Sequence, residues 1–135
     1  MMITFDQRAW RGLALLLGLG LVANGLWMFA DPFGWYLQVP GVVDTGPPNR
    51  HFIADIGGGY LATGIGLLAG LRLPSLMPGA ALAAALFHGA HAVVHALDAL
   101  AGRCTPRQLV LDPVAVGLPA LAITGFAVAV LRGRA

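Results

Sequence analysis

Four histidines and one aspartate stand at spacings that could build a site. His88, His91 and His95 lie in an apolar run from Ala80 to Leu97. At 3.6 residues per turn they fall within an arc of roughly 60° on one helix face. His51 and Asp55 are four residues apart near the start of the preceding apolar segment, and they share a face of their own. Neutral imidazole suits Zn, Cu and Fe, and a carboxylate compensates the ion's charge. An ionisable pair on each of two facing helices is a way to build a metal site inside a bundle. The spacing therefore predicts a transition-metal site of three nitrogens and one oxygen, from His51, Asp55, His91 and His95. Asn24, Asn49 and His88 are candidates for supporting positions around it. Haem between axial imidazoles of His51 and His91 or His95 ranks below a bare ion, because the segments lack bulky aromatic pocket residues.

Two other readings use the same residues differently. A histidine in a packed bundle can hydrogen-bond a hydroxyl or amide of a neighbouring helix and simply join the two. The chain would then be an accessory or scaffold subunit of a larger membrane complex, or a homo-oligomer, with no chemistry of its own. A histidine oriented by an aspartate can also move a proton on a lipid-soluble substrate, as a small membrane enzyme would. Asp98 and Asp112 are read as a surface residue and a helix cap.

These side chains need a scaffold, and the composition says which kind. Of 135 residues 58% are hydrophobic and only 10% charged; a soluble domain carries about 25% charged residues. The mean hydropathy is +0.78. An integral membrane protein follows, with the lipid bilayer as its first partner. The net charge of +2 is small and scattered, with no basic stripe interleaved by aromatics, which excludes a nucleic-acid binder. Cys104 is the single cysteine, so neither an intramolecular disulfide nor a cysteine-rich metal site can form.

A spanning helix takes about 20 apolar residues. Four segments qualify, at about 9–30, 50–71, 75–100 and 113–131, and together they make one all-α, four-helix domain over 1–135. The run after Arg8 and Arg11 continues to Ala30, too long for a signal-peptide core, so it is expected to be the first span. Thr4 with Gln7 resembles a capping box; Asn49, Ser75 and Asp112 are the expected caps of the later spans. Gly59 with Thr63, and Gly66 with Gly70, are small-residue pairs that predict close contact between the second and third spans. The connection from Asp31 to Asn49 holds four prolines and several glycines, so it is expected to be neither helix nor central strand. A loop of that length is a binding loop or an interfacial anchor.

Orientation follows from the arginines. With both termini inside, Arg8, Arg11, Arg72, Arg132 and Arg134 are cytoplasmic, and Arg50, Arg103 and Arg107 are outside. The excess favours an N-in, C-in protein of the bacterial inner membrane. His51, Asp55, His91 and His95 then all lie toward the outer side.

The stretch Gly46-Pro47-Pro48-Asn49-Arg50-His51-Phe52-Ile53-Ala54-Asp55-Ile56-Gly57, preceded by Trp35-Tyr36, resembles a pattern in small uncharacterised bacterial membrane proteins. Those have four predicted spans, a Gly-Pro-x-Asn-x-His-x-x-x-Asp-x-Gly stretch at the second, and a histidine-bearing third. The resemblance implies the four-span fold. It directs attention to Asn49, His51 and Asp55 without assigning an activity.

Overall fold

The computed structural model describes residues 7–133 and is helical throughout its regular structure. Six α-helices follow in order: α1 (Gln7–Ala30), α2 (Pro32–Gln38), α3 (Arg50–Arg72), α4 (Met77–Leu100), α5 (Pro106–Asp112) and α6 (Leu118–Leu131). A π-helical turn, Pro113–Gly117, joins α5 to α6 in one continuous rod. Four stretches are long and apolar enough to cross a membrane: Gln7–Ala30, Arg50–Arg72, Pro74–Leu100 and Pro106–Leu131. Their outward faces agree, since Leu16, Leu86, Leu118 and Leu121 are exposed. Helices apolar all round suit a surrounding that is itself apolar.

Contacts run α1 to α3, α3 to α4 and α4 to α6, and Trp10 meets Phe126 at 6.0 Å to bring α1 against α6. The chain goes up, down, up, down. Glycines set the tightest seam. A Cβ on Gly25 would lie 2.7 Å from the Gly57 carbonyl oxygen, and one on Gly64 would lie 2.9 Å from that of Gly18. The backbones of α1 and α3 therefore touch, as small residues allow in membrane helices. The opposite flank of α3 meets α4: Gly59 faces the Phe87 ring, Gly66 faces Ala80 and Gly70 faces Met77. Leu67, Ala81, Ala84 and Ile123 are fully buried where these helices meet.

Caps decide several boundaries. Asn49 starts α3, accepting from the Phe52 N–H at 3.2 Å, as expected. The cap expected at Ser75 is not used; Ser75 lies in a 3-10 turn, Pro74–Leu76, and α4 begins at Met77 without a side-chain cap. The Thr4 side of the first expected box lies outside the described residues. Asp112 is a larger correction. It does not cap the last span but ends α5, because that span already starts at Pro106. Thr105 and Gln108 form a reciprocal capping box there, with Pro106 as first helical residue. Pro113, which lacks an N–H, is then absorbed by the π turn, where the Leu118 N–H reaches the Pro113 carbonyl.

The 31–49 connection also differs from expectation. Asp31 accepts from the Gly34 N–H at 2.9 Å and Pro32 sits in the first turn, so the short helix α2 forms. A 3-10 turn at Val42–Thr45 follows, entered through Gly41 at φ +88°, a conformation glycine takes without a Cβ penalty. The Tyr36 hydroxyl closes the loop by donating to the Gly46 carbonyl at 2.8 Å.

Candidate functional site

The third span presents its imidazoles inward, as its spacing predicts, but to partners other than those expected. His88 lies halfway along α4 and is buried, 4% exposed. Its Nε2 is 3.2 Å from the Thr63 hydroxyl. That hydroxyl has one proton, which goes to the Gly59 carbonyl at 2.8 Å. With its proton so placed the oxygen is free to accept from Nε2 of His88. His88 joins α4 to α3, and Tyr60 packs edge-on against its ring with centroids 4.8 Å apart.

One turn further, the Tyr60 ring also borders His91, at 6.3 Å, and His91 lies edge-on to His95 at 4.8 Å. His95 Nδ1 is 2.7 Å from Asp112 Oδ2, a short bond between groups whose side chains are only 25% and 18% exposed. A carboxylate can only accept, so Nδ1 of His95 is the nitrogen that donates in this bond. Thr63, Tyr60, His88, His91, His95 and Asp112 make one polar strip. It runs from mid-bundle to the end that carries the connections 31–49 and 101–105.

His51 and Asp55 are not part of it. They pair with each other, Nε2 to Oδ2 at 3.3 Å, with side chains 88% and 62% exposed. Among the described residues, no three His, Cys, Asp or Glu side chains are grouped so as to hold a metal ion. The expected four-ligand set of His51, Asp55, His91 and His95 is therefore not assembled. The physical reason is competition: the last span begins seven residues before its expected start and delivers a carboxylate to His95 from the other side. Asn24 is also elsewhere. Its Oδ1 accepts from the Trp35 indole N–H at 3.0 Å, so it anchors α2 to α1. Asn49 is a cap.

Beside His95 and Asp112 a cleft of about 160 Å³ opens between α4 and α5, with Ala92, Ala96, Cys104 and Gln108 among its walls. Ala92, Ala96 and Ala99, small side chains on one side of α4, leave this space. Gln108 is held in the capping box, and Thr105 reaches Asp44 of the long connection at 3.5 Å. The Cys104 thiol is pushed above its ordinary range, first by desolvation and then by the nearby carboxylates of Asp112 and Asp98. That lowers the share of thiolate, the reactive form, at a given pH. Asp98 is paired with Arg103 at 2.9 Å on the surface, as its sequence position suggested.

Sequence reasoning read Asp112 as a helix cap and Thr63 as a small packing residue, and passed over Tyr60. The Thr105-Pro106-x-Gln108 box was the available signal for the first of these, because it lengthens the last span until Asp112 lies inside it. No protein-family model matches the chain, no curated protein matches its sequence, and no solved structure matches its fold.

Proposed function

We propose that the chain is a multi-pass protein of the bacterial cytoplasmic membrane, both termini inside, whose working group is the His95–Asp112 couple near the outer face. The short, largely buried bond between them is the observation that carries this reading. Asp112 fixes the imidazole tautomer, which leaves Nε2 ready to take a proton and later return it. A cleft of about 160 Å³ is smaller than the roughly 300 Å³ of a self-contained small-molecule pocket. It suits the head of a longer lipid-soluble molecule carrying a weakly acidic hydroxyl, whose tail stays in the bilayer. A porphyrin does not suit that space.

The buried apolar residues favour a one-sided site over a through-path. Beyond His88, toward the cytoplasmic end, Leu67, Ala81, Ala84 and Ile123 have no exposed surface. A proton reaching His88 from outside meets an apolar plug, which favours binding or exchange over conduction by a single copy.

A transition metal remains as a second reading, supported by the contact of the His91 and His95 rings at 4.8 Å. A carboxylate behind a ligating histidine is the usual outer partner of such a site. Zn, Cu or Fe would take these two imidazoles and complete its shell from outside the chain, without His51 or Asp55.

Organic extraction of protein purified from native membranes separates the readings. The expected result is a hydroxyl-bearing lipid-soluble compound, absent from Ala96→Trp and depleted in His95→Ala. Extracts identical across the three proteins would overturn the acid–base reading. Stoichiometric metal lost in both His91→Ala and His95→Ala would favour the second. A larger complex co-purifying, with neither metal nor compound, would favour an accessory subunit.

A further inference from the structure

Among the described residues the carboxylates are confined to one end of the bundle, where Arg50, Arg103 and Arg107 accompany them. The five described carboxylates, Asp31, Asp44, Asp55, Asp98 and Asp112, all belong to the half that carries the 31–49 connection. Asp6, the sixth, precedes the described residues. The opposite end presents Arg8, Arg11, Arg72 and Arg132. There a second cleft, of about 340 Å³, opens between the start of α1, the end of α3 and the start of α4. It is amphiphilic. Gln7 and Arg11 stand at its polar side, and Trp10, Met77, Phe126 and Val130 form its apolar side.

Arg11 is held in place. One Nη donates to the Leu71 carbonyl at 3.2 Å, one of the last four carbonyls of α3, which have no partner within the helix. A guanidinium has five N–H donors in a rigid fork, and such a fork matches phosphate oxygens. The N-terminus of α4 borders the same cleft through Met77 and Pro78, and its dipole adds attraction for an anion.

We propose that this cleft binds an anionic phospholipid, its phosphate on Arg11 and the first part of its acyl chain against Trp10, Phe126 and Val130. An anchored cation, an apolar wall and a membrane level where the described residues include arginines but no carboxylate fit that ligand. The proposal does not depend on the His95 reading.

The test is native mass spectrometry of protein reconstituted from vesicles of phosphatidylcholine mixed with phosphatidylglycerol. Wild type should retain phosphatidylglycerol in preference to phosphatidylcholine. Arg11→Gln should reduce that preference about tenfold, as expected for one charge-assisted contact. Arg11→Lys should keep part of it. Val130→Trp fills the apolar side without touching Arg11, and should abolish retention while helical circular dichroism is unchanged. Equal retention of the two lipids by wild type, or an unaltered preference in both Arg11→Gln and Val130→Trp, would overturn the proposal. So would displacement of the lipid by inorganic phosphate at equal concentration, which would make the site one for free anions.

Discussion

The bundle has two halves built on different rules, and each carries one histidine–aspartate pair. In the first half, α1 and α3 meet backbone to backbone through Gly18, Gly25, Gly57 and Gly64. So close a seam leaves no room for a polar side chain, and the half's own pair, His51 with Asp55, is left outside. In the second half, α4 meets the α5–α6 rod through side chains, and alanines at 92 and 96 leave a cleft that the rod does not fill. There the pair, His95 with Asp112, is inside. The same two residue types thus make an exposed pair within one helix or a largely buried bond between two, according to whether the neighbouring helices meet through backbone or through side chains.

The contrast is broken most severely at the glycine seam. A side chain on Gly25 would start 2.7 Å from the Gly57 carbonyl oxygen and 2.9 Å from the Leu61 nitrogen, both backbone atoms that cannot rotate away. Gly25→Leu is expected to cost about 3 kcal/mol or more, the upper end of overpacking. Gly125 in α6 has nothing within 4 Å of the equivalent position. Gly125→Ala should be neutral, or slightly stabilising through helix propensity. Thermal unfolding in detergent compares them. Equal losses would mean that α1 and α3 are not in backbone contact.

The pairs themselves give the next effect. Asp112→Ala removes the acceptor of a largely buried imidazole N–H and is expected to cost about 1.5–3 kcal/mol, the range of a hydrogen bond to a charged group. Asp112→Asn keeps an acceptor and should recover part of the loss. Asp55→Ala breaks a pair in the open and should stay within about 0.5 kcal/mol. Nitrogen NMR of labelled histidine sharpens the comparison, because Asp112→Ala should release His95 from its fixed Nδ1–H form while Asp55→Ala leaves His95 unmoved. A His95 spectrum indifferent to Asp112 would remove the couple from any functional role.

Helix content and span number were legible because composition and length act locally: about 20 apolar residues in a row leave few other outcomes. The inward phase of His88, His91 and His95 was legible for the same reason, since 3.6-residue geometry fixes it. The partner of that face was not. Choosing between Asp55 and Asp112 required the rotation of α3, whose flanks are committed to α1 and α4, and the true start of the last span. The second of these was written in Thr105 and Gln108, but Pro113 with Asp112 before it reads equally well as a helix start. Only the π turn, a tertiary accommodation of proline, decides between them. Asn24 shows the remaining limit. A half-buried amide near the end of a span looks like a site residue until Trp35 of the next helix, eleven residues on, is found donating to it.

The smallest expected effect tests the electrostatics at the mouth of the inner pair. Cys104 is partly exposed, and its thiol is raised by desolvation first, then by Asp112 and Asp98. A raised thiol holds less thiolate at a given pH, and thiolate is the form that reacts. The rate of alkylation by iodoacetamide should therefore climb with pH later than that of a free cysteine run beside it. Asp98→Asn removes one negative charge and shifts the climb to lower pH, so alkylation at a fixed, mildly alkaline pH becomes faster. The gain should be modest, because Arg103 at 2.9 Å already offsets much of the Asp98 charge and solvent screens the rest. Asp55→Asn, in the outer pair of the other half, should leave the curve unmoved. If Asp55→Asn shifts it as far as Asp98→Asn does, the two halves share one electrostatic environment, and the separation of the pairs drawn from their geometry fails.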